Sequence, residues 1–91
     1  MEILTELEKV IEDRKQNPKE GSYTNKLLED KSLSERKVSE ESFEVIEASK
    51  DNDKKQVIYE AGDLLYHLLV LLNNNGVKLE EVEEELKNRR K

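Results

Sequence analysis

Two short stretches hold acids at a spacing that cation chemistry uses. "EESFE" at 40–44 carries Glu40, Glu41 and Glu44, and "YEAGD" at 59–63 carries Glu60 and Asp63. On a helix turning about 100° per residue, acids three apart share a face. Glu41 with Glu44, and Glu60 with Asp63, can therefore each present a carboxylate pair, and two such helices packed antiparallel would bring four carboxylates together. Like charges that close repel and raise one another's pKa unless a cation sits among them. The chain has no Cys and a single His, so the ligands on offer are hard oxygens, which suit Mg²⁺ or Mn²⁺ as a substitute. An acidic helix is also the ordinary make-up of a solvated face, and "EESFE" alone reads more readily that way. Glu60 and Asp63 are harder to dismiss, because they border a strongly apolar run where charges are rarely left unpaired.

Other polar groups fall beside these acids. His67, one turn beyond Asp63, is read as orienting it rather than as a ligand. Lys37 is either a phosphate contact or a salt-bridge partner of the neighbouring acids. Tyr59 and Tyr66 fall on the far side of the polar groove from the main apolar arc and are read as packing. No Ser, His and Asp triad and no Cys nucleophile is on offer, which leaves a metal-activated water as the supported nucleophile.

Helices must position these groups. Ile3, Leu4, Leu7, Val10 and Ile11 follow the spacing of one helical face, and "NPKEG" at 17–21 ends that helix through proline and glycine. "SYTNKLLEDK" reads as a turn capped by Ser22 or Thr24, then a short helix around Leu27 and Leu28. "SLSE" at 32–35 fits a capping box with Ser32 as N-cap, opening a helix that runs to about Lys50. Asp53 caps the next, with Gln56 three residues on, and "NNNG" at 73–76 stops it through Asn or Gly in a left-handed conformation. On this helix Ile58, Leu65 and Leu68 belong to a broad apolar arc assigned to the core, with Gln56, Glu60, Asp63 and His67 forming a narrow groove beside it. The last segment places Leu79, Val82 and Leu86 on one stripe. Glu80 and Glu81 open it, Arg89, Arg90 and Lys91 close it, and Glu83 with Lys87 makes an i,i+4 pair. The expected class is all-α, a bundle of four to five helices.

Size and charge bound the rest. The chain has 91 residues, of which 34% are hydrophobic, enough for one domain with a modest core, so a partner subunit is expected. The 42% charged content does not make it disordered, because the apolar residues are gathered in periodic segments. A net charge of −6 opposes binding to nucleic acid. The longest apolar stretch, Leu64 to Leu72, is interrupted by Tyr66 and His67 and is far short of the ~20 residues that span a bilayer. "MEILTELEKV" is too rich in Glu for a secretory signal. A soluble, cytoplasmic protein is expected.

The residues resemble the phosphoribosyl-ATP pyrophosphohydrolase family of histidine biosynthesis, within the all-helical MazG-like nucleotide pyrophosphohydrolase superfamily. "EESFE" is similar to the superfamily's E-E-x-x-E and "YEAGD" to its E-x-x-D, while "DLLYHLLVLL" before Asn/Gly and "ELKNRR" mark the histidine-pathway branch. The resemblance runs from "SYTNKLL" to the C-terminal "ELKNRRK" and implies that residues 1–91 are a single helical pyrophosphohydrolase domain completed by homodimerisation. It implies Mg²⁺ held by Glu41, Glu44, Glu60 and Asp63, with Glu40 nearby, and hydrolysis of phosphoribosyl-ATP to phosphoribosyl-AMP and pyrophosphate. Glu40 or Glu44 would take the proton of the attacking water. Ser22, Tyr23 and Thr24 match the family's S-Y-T element and Lys37 its lysine before the acids, which makes them candidate substrate contacts. Phosphoribosyl-AMP cyclohydrolase is a further candidate partner.

Two departures from the family pattern bear on the phosphate approach. Ser39 stands where the family has glycine in K-V-G-E-E, and the segment between "SYTNKLL" and Lys37 is short and lacks its customary glycine. Neither removes a candidate ligand. Two other readings stand beside this one: a hydrolase of noncanonical nucleoside triphosphates, and a non-catalytic helical dimerisation module whose acids only confer solubility.

Overall fold

The helices begin and end where local chemistry dictates, as a computed structural model describing residues 1–90 makes visible. They are α1 (Glu2–Gln16), α2 (Tyr23–Glu29), α3 (Lys31–Lys50), α4 (Lys54–Asn74) and α5 (Leu79–Arg89). No strand occurs among the described residues, so the all-α class holds. Asn17 ends α1 immediately before Pro18. Ser22, not Thr24, caps α2, its Oγ accepting from the Asn25 amide at 3.2 Å. Asp53 caps α4 by accepting from the Gln56 amide at 3.1 Å. Beyond α4, Gly76 takes the left-handed conformation at φ 68°, which costs glycine little.

Two local expectations are corrected. The cap of α3 is Asp30, whose Oδ1 accepts from the Leu33 amide at 3.1 Å, and Ser32 lies inside the first turn. Asp30 is also the residue that terminates α2, so no linker is left in which a start at Ser32 could form. On α5 the ion pair joins Glu85 to Arg89 at 2.8 Å, rather than Glu83 to Lys87. Lys91, assigned to the end of that helix, lies outside the described residues.

Helix α4 is the axis of the molecule. Helix α3 lies along it, while α1 and α2 pack on it from another side. Ile11, Leu27, Leu69 and Val70 are buried together, with Leu4, Leu7 and Tyr66 packed against them. Polar side chains then pin one element to the next. The buried Asn25 donates to the Arg14 carbonyl at 2.7 Å and accepts from the Lys19 amide at 2.9 Å, tying α2 to the end of α1. Ser34, fully buried, donates to the Leu27 carbonyl at 2.9 Å and accepts from Asn74 at 2.8 Å, so α2, α3 and α4 share one knot. Glu12 of α1 accepts from Asn73 at 2.8 Å, and Glu8 accepts from the Leu79 amide that opens α5 at 2.6 Å.

The phase of α4 differs from expectation. The strip carrying Glu60, His67 and Val70 is buried, whereas Ile58 is 63% exposed, Leu65 37% and Leu68 38%. Periodicity gives the width of an apolar face but not which neighbour covers it, and α3 lies against the edge that holds the acids. Tyr66 packs as expected, but Tyr59 is exposed. Gly62, midway along α4, has nothing near the point where a Cβ would stand. Among the described residues no helix is long and apolar enough to cross a membrane.

Candidate functional site

The site is built by the turn between α3 and α4. Asp51, Asn52 and Asp53 form it, with Asn52 at φ 55°, a left-handed conformation that asparagine tolerates better than most residues. The chain folds back, and Glu41 on α3 meets Glu60 and Asp63 on α4. One carboxylate oxygen from each lies within 4.8 Å of the others. Glu60 is buried, and Glu41 and Asp63 are half-buried.

Such crowding has an electrostatic cost. The Glu41 carboxyl is pushed up to about 7, first by burial, then by the hydrogen bond its protonated form makes to Glu60 and by the charges of Asp63 and Glu60; Lys37 opposes the shift. Three acids that close are a repulsive set on their own. The donor set, all oxygen and without sulfur, is of the kind that suits a hard divalent cation. Glu60 is further held by Gln56, whose Nε2 donates to Glu60 Oε1 at 2.9 Å.

The remaining candidate residues surround this group without joining it. Glu44 is exposed on α3, outside the three-acid group. Glu40 is exposed too, with Lys37 at 3.4 Å and Arg36 at 3.7 Å. His67 makes its contact with the backbone carbonyl of Asp63, at 2.8 Å from Nδ1, and not with the carboxylate. A carbonyl can only accept, so Nδ1 donates to it, and the other ring nitrogen, Nε2, is hydrogen-bonded to the Tyr23 hydroxyl at 2.9 Å. The Thr24 hydroxyl is bonded to that of Tyr66. Ser22 thus caps α2, while Tyr23 and Thr24 bond that helix to α4. Tyr23 remains half exposed, and burial raises its pKa above the usual range, with Lys37 acting against the shift and Tyr66, Glu41 and Glu40 adding to it. Its hydroxyl therefore lies within electrostatic reach of Lys37 and both acids.

The sequence sets Gln56 in the polar groove beside Glu60, but its only assigned role there is in the capping pattern, and its bond to the Glu60 carboxylate is a finding of the structure. The Tyr23–His67 bond spans 44 residues, and no local pattern announces it. A broad groove between α1 and the α4–α5 junction, bordered by Lys9, Glu12 and Lys78, contains none of these acids. Donor chemistry rather than concavity therefore selects the site.

Fold and site together define an all-helical domain with a three-carboxylate centre between two adjacent helices. A family profile described as phosphoribosyl-ATP pyrophosphohydrolase matches residues 4–90. A phosphoribosyl-ATP pyrophosphatase of Clostridium acetobutylicum is 57% identical, over 97% of this chain and 81% of its own length. Another, from Methanococcoides burtonii, is 47% identical over 99% of this chain and 94% of its own. The histidine biosynthesis bifunctional protein HisIE of Thermoanaerobacter pseudethanolicus is 54% identical over 91% of this chain, but the match spans only 39% of that longer protein. The chain belongs to the phosphoribosyl-ATP pyrophosphohydrolase family.

Proposed function

We propose that this chain hydrolyses phosphoribosyl-ATP to phosphoribosyl-AMP and pyrophosphate, a step of histidine biosynthesis, with a divalent cation held by Glu41, Glu60 and Asp63. The observation that carries the reading is the convergence of those carboxylates in a chain that matches the family along nearly all its length. When bound, Mg²⁺, or Mn²⁺ in its place, neutralises phosphate oxygens and lowers the pKa of water. Water adds to the α-phosphorus, the α–β anhydride bond breaks, and pyrophosphate leaves.

The chain's own residues supply the rest. Buried Glu60 and half-buried Glu41 and Asp63 are the ligands; Glu44, which the family pattern adds as a fourth, stands exposed outside that group. Glu44 or Glu40 takes the proton of the attacking water; Glu44 is the less encumbered, since Glu40 is engaged by Lys37 and Arg36. Lys37, 3.4 Å from Glu40, is the candidate phosphate contact, and the half-exposed Tyr23 the candidate substrate contact within S-Y-T. The substrate is a small metabolite, in keeping with an acidic cytoplasmic protein and no nucleic-acid partner. A homodimer is favoured by the apolar residues that α3 and α4 leave exposed, including Phe43, Ile46 and Ile58. The bifunctional name of some relatives makes the phosphoribosyl-AMP cyclohydrolase a reasonable associate.

The test is pyrophosphate release from phosphoribosyl-ATP and from a panel of other nucleoside triphosphates, with Mg²⁺ and with EDTA. Metal-dependent turnover preferring phosphoribosyl-ATP is expected. Glu60→Gln and Asp63→Asn should each abolish it while circular dichroism shows unchanged helicity; near-normal turnover in both rejects the site.

A further inference from the structure

Gln56 has a position in this site that the family motifs do not explain. Its backbone amide is fixed by Asp53 Oδ1 at 3.1 Å, so its side chain springs from an anchored point in the first turn of α4. Four residues on, the side chain meets Glu60 Oε1 at 2.9 Å through Nε2. The orientation of the amide follows from charge, because turning it over would set its oxygen against a carboxylate.

Glu60 is the buried acid of the group and faces two others. Repulsion from Glu41 and Asp63 favours rotamers that turn its carboxylate away, and a restraint is needed to keep it aimed inward. A lysine or arginine in this role would bring a positive charge to the ligands and compete with an incoming cation. A neutral amide orients the carboxylate without neutralising it. Partners of this kind, bonded to a ligand rather than to the metal, set the direction and readiness of the ligand.

We propose that Gln56 is a positioning residue for divalent-cation binding, holding Glu60 in the direction that Glu41 and Asp63 share. The inference rests on the proposed metal site, and its test separates the two. Mg²⁺ is titrated calorimetrically into the full-length protein and into the Gln56→Ala and Gln56→Met variants, and melting temperatures are recorded with EDTA and with Mg²⁺. Saturable binding is expected in the parent, weakened about 10-fold in both variants, with a smaller Mg²⁺-induced rise in melting temperature. Melting in EDTA should change little, because Gln56 is an exposed residue. Equal affinity in parent and variants, whether or not melting in EDTA falls, would overturn the role of Gln56 and leave the metal site standing. No saturable binding in the parent would overturn both.

Discussion

Glu41 is where the fold and the ionised state of a side chain oppose each other most directly. Its folded pKa, about 7, lies above the ordinary carboxyl value of 4.5. Below that ordinary value both folded and unfolded chains hold the proton, and the site costs nothing. As pH rises, the unfolded chain ionises first and the folded chain binds more protons, so stability declines until Glu41 itself ionises and then levels off. In EDTA the melting temperature of the parent should therefore fall between pH 4.5 and 7 relative to Glu41→Gln, with the difference largest above that window. Matching pH profiles would contradict it. Mg²⁺ should restore the parent selectively above neutrality. Much of this site was legible as residues: Glu41, Glu60 and Asp63 stand at helical spacing, and on its helix Glu41 is the acid nearest the apolar side. The exposure of Glu44 follows from the same phase. The Tyr23 bond to His67 was not legible, because it joins helices that the sequence places far apart.

Among the elements, α5 is the least embedded. It contributes no buried residue, and Leu86 is 60% exposed. Its first amide is held by Glu8 of α1, and Glu81 accepts from the Lys78 amide at 2.9 Å. A carboxylate at this end also meets the positive pole of the helix dipole. Glu8→Ala should free the helix start, at about 1 kcal/mol, and amide exchange should quicken across residues 79–89 while α4 stays protected. Uniform protection in the variant would show that other contacts carry α5. Helix boundaries were readable wherever a single signal operated, as at Pro18 and Asp53. At the start of α3 two signals competed, Asp30 and the Ser32 box. The one that prevailed also ends α2, a constraint visible only once both helices are in place.

At the scale of the whole molecule, the exposed edge of α4 is the surface on which the proposed dimer can be tested. Ile58, Leu65 and Leu68, with Ile46 of α3, leave apolar surface that a second copy of the chain would cover. Sedimentation should show a dimer in the parent and a monomer in the double variant Leu65→Lys/Leu68→Lys; an unshifted dimer would place the interface elsewhere. The apolar arc of α4 was legible in width but not in allegiance. One chain's periodicity cannot say which part of a face its own α3 covers and which is left for a neighbour.

Gly62 turns that ambiguity into something measurable. A glycine within a helix weakens it by about 1 kcal/mol relative to alanine, and this one has open space around it. In the lysine double variant, Gly62→Ala should therefore raise the melting temperature, and failure to rise would mean the space is not free. Placed in the parent, the same added methyl tests how closely the proposed dimer would bring a second backbone to Gly62: a gain means clearance, a loss means contact.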